Sequence, residues 1–325
     1  AGIEIDCVFE PLPKNTAPAM AVIASLKAKE KKSILIFCPS DHYIENVEGY
    51  LQSLIVGLDE ISGNEIFTLG IKPSFPSTAY GYIEVGAQLE KSFVYPVKRF
   101  IEKPNLEVAT EIIRKKNVFW NAGSFMMSVD TLNHVLNKYC PNLYRSACYA
   151  LEKAEIVENK ITLKESHFEL CESISIDHAV MEKFRHLKVV ELQADWSDIG
   201  SWFSLWQSSK KDKNNNATKG RVVSKDNKNC LIRSEHRLIV AMGLKDIVVV
   251  ETDDVVLVSD IKQSQEIKKI VNDLKNDGFS ETQSHSEVYR PWGNYRSMLE
   301  GERWQVKIIR VKPGASLSLQ MHHHR

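Results

Sequence analysis

The sequence predicts an α/β protein: a layered domain around a mixed, mostly parallel sheet, then a small coiled or stacked β unit, then the beginning of a third, strand-rich unit. Three observations carry this prediction. Helical spacing and short β-rich runs alternate through the first part of the chain. The polar stretch from Ser208 to Lys219 is too poor in apolar residues to pack and marks a first boundary. Beyond it, β-rich segments follow one another at close spacing, and a second polar stretch runs from Asn276 to Glu287.

In chain order, Ala19, Val22, Ile23 and Leu26 recur at helical spacing between Thr16 and Lys29, and Ser33 to Cys38 forms a β-rich run that reads as a buried strand ending at Pro39. Tyr50 to Leu58 reads as a helix and Ile66 to Ile71 as a strand, and Pro73 and Pro76 mark an irregular loop before Tyr80-Gly81-Tyr82-Ile83. Ligands of such sheets gather at the carboxyl ends of strands, which is where Asp41 falls. In the second region the β-rich segments are Cys230–Ile232, Leu238–Ala241, Ile247–Glu251 and Val255–Ser259, followed by a helix from Gln263 to Leu274. Spacing alone leaves a coiled unit and an ordinary meander both open. Tyr289-Arg290-Pro291-Trp292-Gly293 then precedes expected strands at Trp304–Val311 and Ser316–Met321.

With 325 residues and 43% hydrophobic content, the chain can build two or three cores. Its 42 basic and 42 acidic residues cancel, so no broad basic face argues for nucleic acid and no polybasic segment argues for a membrane surface. No apolar run is long enough to span a bilayer; Ile247-Val248-Val249-Val250 is followed by Glu251, Asp253 and Asp254. The opening Ala1-Gly2-Ile3-Glu4-Ile5-Asp6 lacks the basic and apolar parts of a signal peptide, so the cytoplasm is the expected location. Six cysteines without a CxxC pair read as reduced thiols, with Cys38 expected as an inert core thiol.

Five segments occur in order: Glu10-Pro11-Leu12-Pro13-Lys14-Asn15-Thr16-Ala17-Pro18, Pro39-Ser40-Asp41-His42, Phe100-Ile101-Glu102-Lys103-Pro104, Trp120-Asn121-Ala122-Gly123 and Trp196-Ser197-Asp198-Ile199-Gly200-Ser201-Trp202. The ordered set resembles the mannose-1-phosphate guanylyltransferases, in particular the long bacterial form whose tail is a mannose-6-phosphate isomerase domain. The resemblance implies a Rossmann-like, GT-A-like nucleotidyltransferase domain over residues 1–212, a small left-handed β-helix-like domain over 217–276, and the start of a cupin-type isomerase barrel over 285–325. It implies GTP and mannose 1-phosphate as partners, Mg²⁺ as cofactor, and leaves room for a homo-oligomer. It also implies a Gly-rich triphosphate loop ahead of Ala1 and further barrel strands after Arg325. Residues 1–325 alone are therefore expected to catalyse neither reaction at native rates.

The chemistry suits such residues. A phosphate monoester is already an ionised nucleophile, its second pKa being about 6, so the difficulty lies in bringing two anions together. Asp41 and Asp198 match the family's Mg²⁺-holding positions, since Mg²⁺ takes phosphate oxygens together with one or two carboxylates. Taken singly, Asp41 could instead cap a helix starting near Ile44, and Asp198 the turn into Gly200-Ser201-Trp202. His42 is expected to orient its neighbours. Lys103 would pair with the sugar phosphate, and Glu102 and Asn121 would take hexose hydroxyls. Gly81 and Gly123 would let backbone approach the sugar, although Ser77-Thr78-Ala79 stands where the family carries an acidic residue. Glu10, Lys14, Asn15, Thr16, Pro39 and Ser40 fall to the nucleotide side by the same resemblance. Asn15 and Thr16 are also good helix N-caps, so both roles stay open. His322 and His324 alternate on an expected strand and match the start of a cupin metal motif, where Zn²⁺ or another divalent metal would bind. A pyrophosphorylase for another hexose 1-phosphate, and a non-catalytic sugar-nucleotide sensor or assembly subunit, are the alternatives.

Overall fold

Ile66-Phe67-Thr68-Leu69 is buried on both sides, and it forms the middle of the main sheet. The computed structural model describes residues 5–89, 93–282, 287–301 and 304–317, which divide into two compact units on either side of the Asp198–Ile199 bond. In the first unit the elements are β1 (Cys7–Phe9), α1 (Thr16–Leu26), β2 (Ile34–Phe37), β3 (Tyr43–Ile44), α2 (Val47–Glu60), β4 (Ile66–Ile71), β5 (Tyr82–Val85), β6 (Val94–Ile101) and α3 (Leu106–Ile113). They continue with β7 (Val118–Ser128), α4 (Val129–Tyr139), α5 (Pro141–Glu152), β8 (Glu155–Val157), β9 (Lys160–Thr162), α6 (Glu165–Phe168), a π-helical turn (Asp177–Met181), β10 (Leu187–Glu191) and β11 (Trp196–Ser197).

The main sheet has the order β2-β7-β4-β10-β6-β5. It is mixed: β2, β4, β5 and β10 run one way and β6 and β7 the other, while β4–β10 is the adjacent parallel pair. The shared direction is therefore largely not one of adjacency, because β7 enters between β2 and β4. One face is packed by α1, α4 and α5, whose Met20, Ala21, Leu132, Leu136, Leu143 and Ala147 are buried. Leu54 of α2 packs with Phe67, Leu69 and Met126 on the other. The helices start where side chains satisfy free amides: Asn46 Oδ1 accepts from Gly49 N, Asn105 Oδ1 from Val108 N and Ser128 Oγ from Thr131 N. Exposure corrects one expectation. Ile34, Ile36 and Cys38 are exposed, β2 being the outermost strand of its sheet among the described residues.

The second unit contains α7 (Trp202–Ser208), β12 (Ala217–Lys219), β13 (Val222–Lys225), β14 (Leu231–Ser234), β15 (Ile239–Met242), β16 (Ile247–Glu251), β17 (Val256–Asp260), α8 (Ile267–Asn276), β18 (Glu287–Arg290), β19 (Gly293–Gly301) and β20 (Trp304–Val311). Parallel stacking of β12 on β14 on β16, and of β13 on β15, decides for a β-helix over a meander. Asn216 and Asn227 are buried at its corners with both ends of each amide engaged: Asn216 bonds Asn227 O and Cys230 N, and Asn227 bonds Ala241 O and Leu244 N. Strands β18, β19 and β20 form an antiparallel meander. Ser316 and Leu317 are not in a strand, and residues 318–321 of that expected strand lie outside the described residues.

Glu251 closes one corner of the β-helix. Its carboxylate accepts the backbone N–H groups of Glu235, His236 and Arg237 and pairs with the Arg237 guanidinium at 3.0 Å. These bonds hold its pKa down to about 2. A depressed carboxylate stabilises the fold fully above its unfolded pKa and loses that contribution as pH falls through the folded one. Glu251→Gln should therefore lower the melting temperature at pH 7 by more than at pH 2, as read by circular dichroism; an equal loss at both would remove the carboxylate's charge from the account.

Candidate active site

Asp41 and Asp198 are far apart in sequence and are brought together by two residues of pairing. β3 and β11 run antiparallel with Tyr43 opposite Ser197 and Ile44 opposite Trp196, so both aspartates lie just beyond one end of the same short ladder. Neither is a helix cap. Asn46 caps α2, and Ser201 caps α7 by accepting from Ser204 N at 3.1 Å. His42 lies between them: Trp196 Nε1 donates to His42 Nδ1 at 3.1 Å, which requires the ring to be neutral with its proton on Nε2. Burial lowers the His42 pKa, against the opposing pull of Asp41 and Asp198. Tyr80 Oη donates to Asp198 Oδ1 at 3.0 Å, and the Tyr80 ring meets Trp196 and Trp120 edge-on.

Strand alternation sorts the Trp-Asn-Ala-Gly motif. Trp120 is buried beside Phe75 and Tyr80, whereas Asn121 belongs to a polar network. Asn121 Oδ1 accepts from Thr68 Oγ1 at 2.8 Å and from Gly123 N at 3.1 Å, and Asn121 Nδ2 donates to Asp177 Oδ1 at 3.1 Å. Gly123 has φ +71°, and a Cβ there would lie 3.4 Å from Pro39 Cγ and 3.5 Å from His42 Cε1. The Trp-Asn-Ala-Gly motif thus abuts Pro39-Ser40-Asp41-His42 through one glycine.

At the end of β6 the Glu102 side chain is almost wholly buried, and Lys103 takes the strained value φ 42° with its ammonium 3.4 Å from Glu102 Oε1 and mostly exposed. Glu102 N donates to Glu182 Oε1, whose carboxylate also meets His178. A Cβ on Gly81 would fall 2.5 Å from Glu102 Oε2, so the carboxylate fills the space that glycine leaves. Gly81 O accepts from Asn121 N.

The residues expected on the nucleotide side are tied into structure. Lys14 Nζ donates to Glu169 O, Asn15 caps α1 from φ 71°, and Thr16 Oγ1 accepts from Ile176 N at 2.9 Å. The capping role of Asn15 is therefore seen directly. Glu10 and Ser40 are exposed and Pro39 is half-buried. His322 and His324 lie outside the described residues.

Asp177 was not singled out by its sequence, yet it joins Asn121 to the Glu102 region. Burial and the charge of Glu102 raise its pKa to about 6, with Lys103 and His178 acting against them. The available signal was a lone acid opening the apolar run Ala179-Val180-Met181. Tyr80, which links Gly81 to Asp198, was likewise legible only as an aromatic beside a glycine.

Residues 1–215 match the Nucleotidyl transferase family, residues 220–274 the MannoseP isomerase/GMP-like beta-helix domain, and residues 277–325 the Mannose-6-phosphate isomerase C-terminal family. The chain is 42% identical to the mannose-1-phosphate guanylyltransferase of Salmonella montevideo, covering 98% of this chain and 69% of that protein. It is 42% identical to the alginate biosynthesis protein AlgA of Pseudomonas aeruginosa, over 98% of this chain and 66% of that one. The chain thus spans about two thirds of the length of these curated relatives. A solved structure described as mannose-1-phosphate geranyltransferase from Thermus thermophilus superposes with a TM-score of 0.73 at 29% identity, covering 82% of this chain and 77% of that one. No helix among the described residues is long and apolar enough to cross a membrane. On this breadth of similarity the chain belongs to the nucleotidyl transferase family, among the mannose-1-phosphate guanylyltransferases.

Proposed function

We propose that this protein transfers a guanylyl group from GTP to mannose 1-phosphate, giving GDP-mannose and diphosphate. A sugar-phosphate oxygen attacks the α-phosphorus, the bond from that phosphorus to its bridging oxygen breaks, and diphosphate leaves with the electron pair. No strong base is needed, because the attacking monoester is already ionised. The observation that carries this proposal is the β3–β11 ladder with Gly123 against Pro39 and His42, which sets two carboxylates beside the sugar-side motif.

The donor set fits Mg²⁺. Two carboxylates stand at one end of one ladder, and Mg²⁺ takes its remaining ligands from phosphate oxygens and water, so no third protein ligand is called for. Asp41 and Asp198 would hold the ion, which when bound would neutralise phosphate charge. Neutral His42, fixed by Trp196, adds no positive charge of its own beside the two carboxylates. Lys103 binds the sugar phosphate, Glu102 and Asn121 meet hexose hydroxyls, and Glu10, Lys14, Asn15, Thr16, Pro39 and Ser40 line the nucleotide side. In the intact protein, residues 277–325 begin a mannose-6-phosphate isomerase domain in which His322 and His324 take a divalent metal such as Zn²⁺. GTP as substrate favours a cytoplasmic location, and the product suits polysaccharide synthesis.

Incubating the intact protein with GTP, Mg²⁺ and mannose 1-phosphate should yield GDP-mannose and diphosphate in equal amounts, faster than with glucose 1-phosphate. Preference for another hexose phosphate would select the rival pyrophosphorylase; binding of GTP without product would select the sensor. Lys103→Ala should raise the KM for mannose 1-phosphate roughly 10–100-fold, the worth of one charged hydrogen bond, and leave that for GTP unchanged. Equal increases for both substrates would take Lys103 off the sugar phosphate.

A further inference from the structure

We propose that Asp177 reads a hexose hydroxyl in the sugar site and that Asn121 positions it. The inference rests on the function proposed above and deepens it.

The hydrogen-bond inventory of Asn121 is the starting point. Its Oδ1 accepts from Gly123 N and shares the single Thr68 hydroxyl proton with Ser124 O, and one of its two Nδ2 protons goes to Asp177. Asn121 can therefore give one proton to a sugar hydroxyl, while its oxygen is already engaged by two donors. A hydroxyl both gives and accepts, so a neighbouring acceptor is needed. Asp177, half-buried and hydrogen-bonded to Asn121, is that neighbour.

The setting of Asp177 opposes a purely structural role. Its hydrogen-bond partners, Asn121 and its own backbone N–H, are neutral, and the charged groups acting on it are Glu102, of like sign, and Lys103 and His178. Holding a carboxylate here costs stability that asparagine, of the same shape, would not. Such a cost is met where the charge has work to do. The residue is also held firmly. Ile176 N donates to Thr16 Oγ1, Ala17 N to Ile174 O, and the turn that follows reaches Glu102 N through Glu182. A π-helical turn at this point fits the frequent use of such turns at functional sites.

The test compares the intact unsubstituted protein with Asp177→Asn and Asp177→Ala, using GTP with mannose 1-phosphate or a set of monodeoxy mannose 1-phosphates, alongside melting curves from pH 4 to pH 8. Asp177→Asn should raise the KM for mannose 1-phosphate roughly 10-fold or more, with the KM for GTP unchanged, since a hydrogen bond to a charged group is lost. One monodeoxy sugar should be used equally well by the unsubstituted protein and the Asp177→Asn variant, because the hydroxyl that Asp177 reads is already gone. A raised folded pKa means that stability falls as pH rises from the unfolded value towards the folded one near 6. Asp177→Asn should therefore melt higher than the unsubstituted protein at pH 7, with the gain fading towards pH 4. Unchanged sugar KM in both variants overturns the inference. So does a lower melting temperature at every pH with equal losses for sugar and GTP, which marks a structural role. Failure of the unsubstituted protein to form GDP-mannose overturns the functional proposal and this inference with it.

Discussion

Replacing Asp41 or Asp198 by asparagine should lower the rate of GDP-mannose synthesis by roughly 10²–10³-fold, the usual loss when one preorganised charge-stabilising group is removed from an active site. Asparagine keeps the shape of each side chain, and neither aspartate caps a helix, since Asn46 and Ser201 fill those positions. The folded structure should persist. Asp198 also accepts a hydrogen bond from Tyr80, which the amide oxygen of asparagine can still accept. Steady-state rates over a Mg²⁺ titration, with circular dichroism on the same samples, provide the check. Near-normal synthesis with an unchanged Mg²⁺ requirement in both variants would remove the metal assignment.

The second large effect is expected at Gly123, where Gly123→Val should cost about 2–5 kcal/mol of stability and abolish measurable transfer. Its left-handed backbone, φ +71°, costs an ordinary residue about 1–2 kcal/mol, and crowding a packed site costs about 1–3 kcal/mol more. The added methyls would press on Pro39 and on His42, and through His42 on Trp196. Gly63 provides the contrast, because nothing lies within 4 Å of a Cβ there and its φ is not left-handed. Gly63→Ala should change stability by no more than about 0.5 kcal/mol. Urea midpoints of the two variants, set beside that of the unsubstituted protein, decide the matter; similar midpoints for both would show that Gly123 can be replaced freely.

Helices α1, α2 and α8 and strands such as β4 and β16 were legible because their signals are local, whereas α3 to α7 and the long strand β7 were not read from the sequence. The apolar spacing from Ala19 to Leu26 defines one face of α1, and the Ile66–Ile71 run holds the residues of the central strand. Motif order pointed to Asp41, Lys103, Asn121 and Asp198 for the same reason, since each motif is a few consecutive residues. Exposure was less legible. Ser33–Cys38 is apolar enough for a buried strand, but whether a strand is covered depends on what pairs beside it, and β2 is outermost in its sheet among the described residues.

What the sequence by itself determined is part of the set of elements, a glycine where backbone can approach closely, and the residue types from which a phosphate- and sugar-handling site can be built. Only the tertiary structure decided which of them meet. β7 enters between β2 and β4, β3 finds β11 across more than half of the first unit, and Asp177 reaches Asn121 from a turn that no periodicity marks. Local preferences act over a few residues. Long-range pairings are selected by the burial and hydrogen bonding of the whole unit at once, set against the entropy of closing long loops, and no single segment carries that balance.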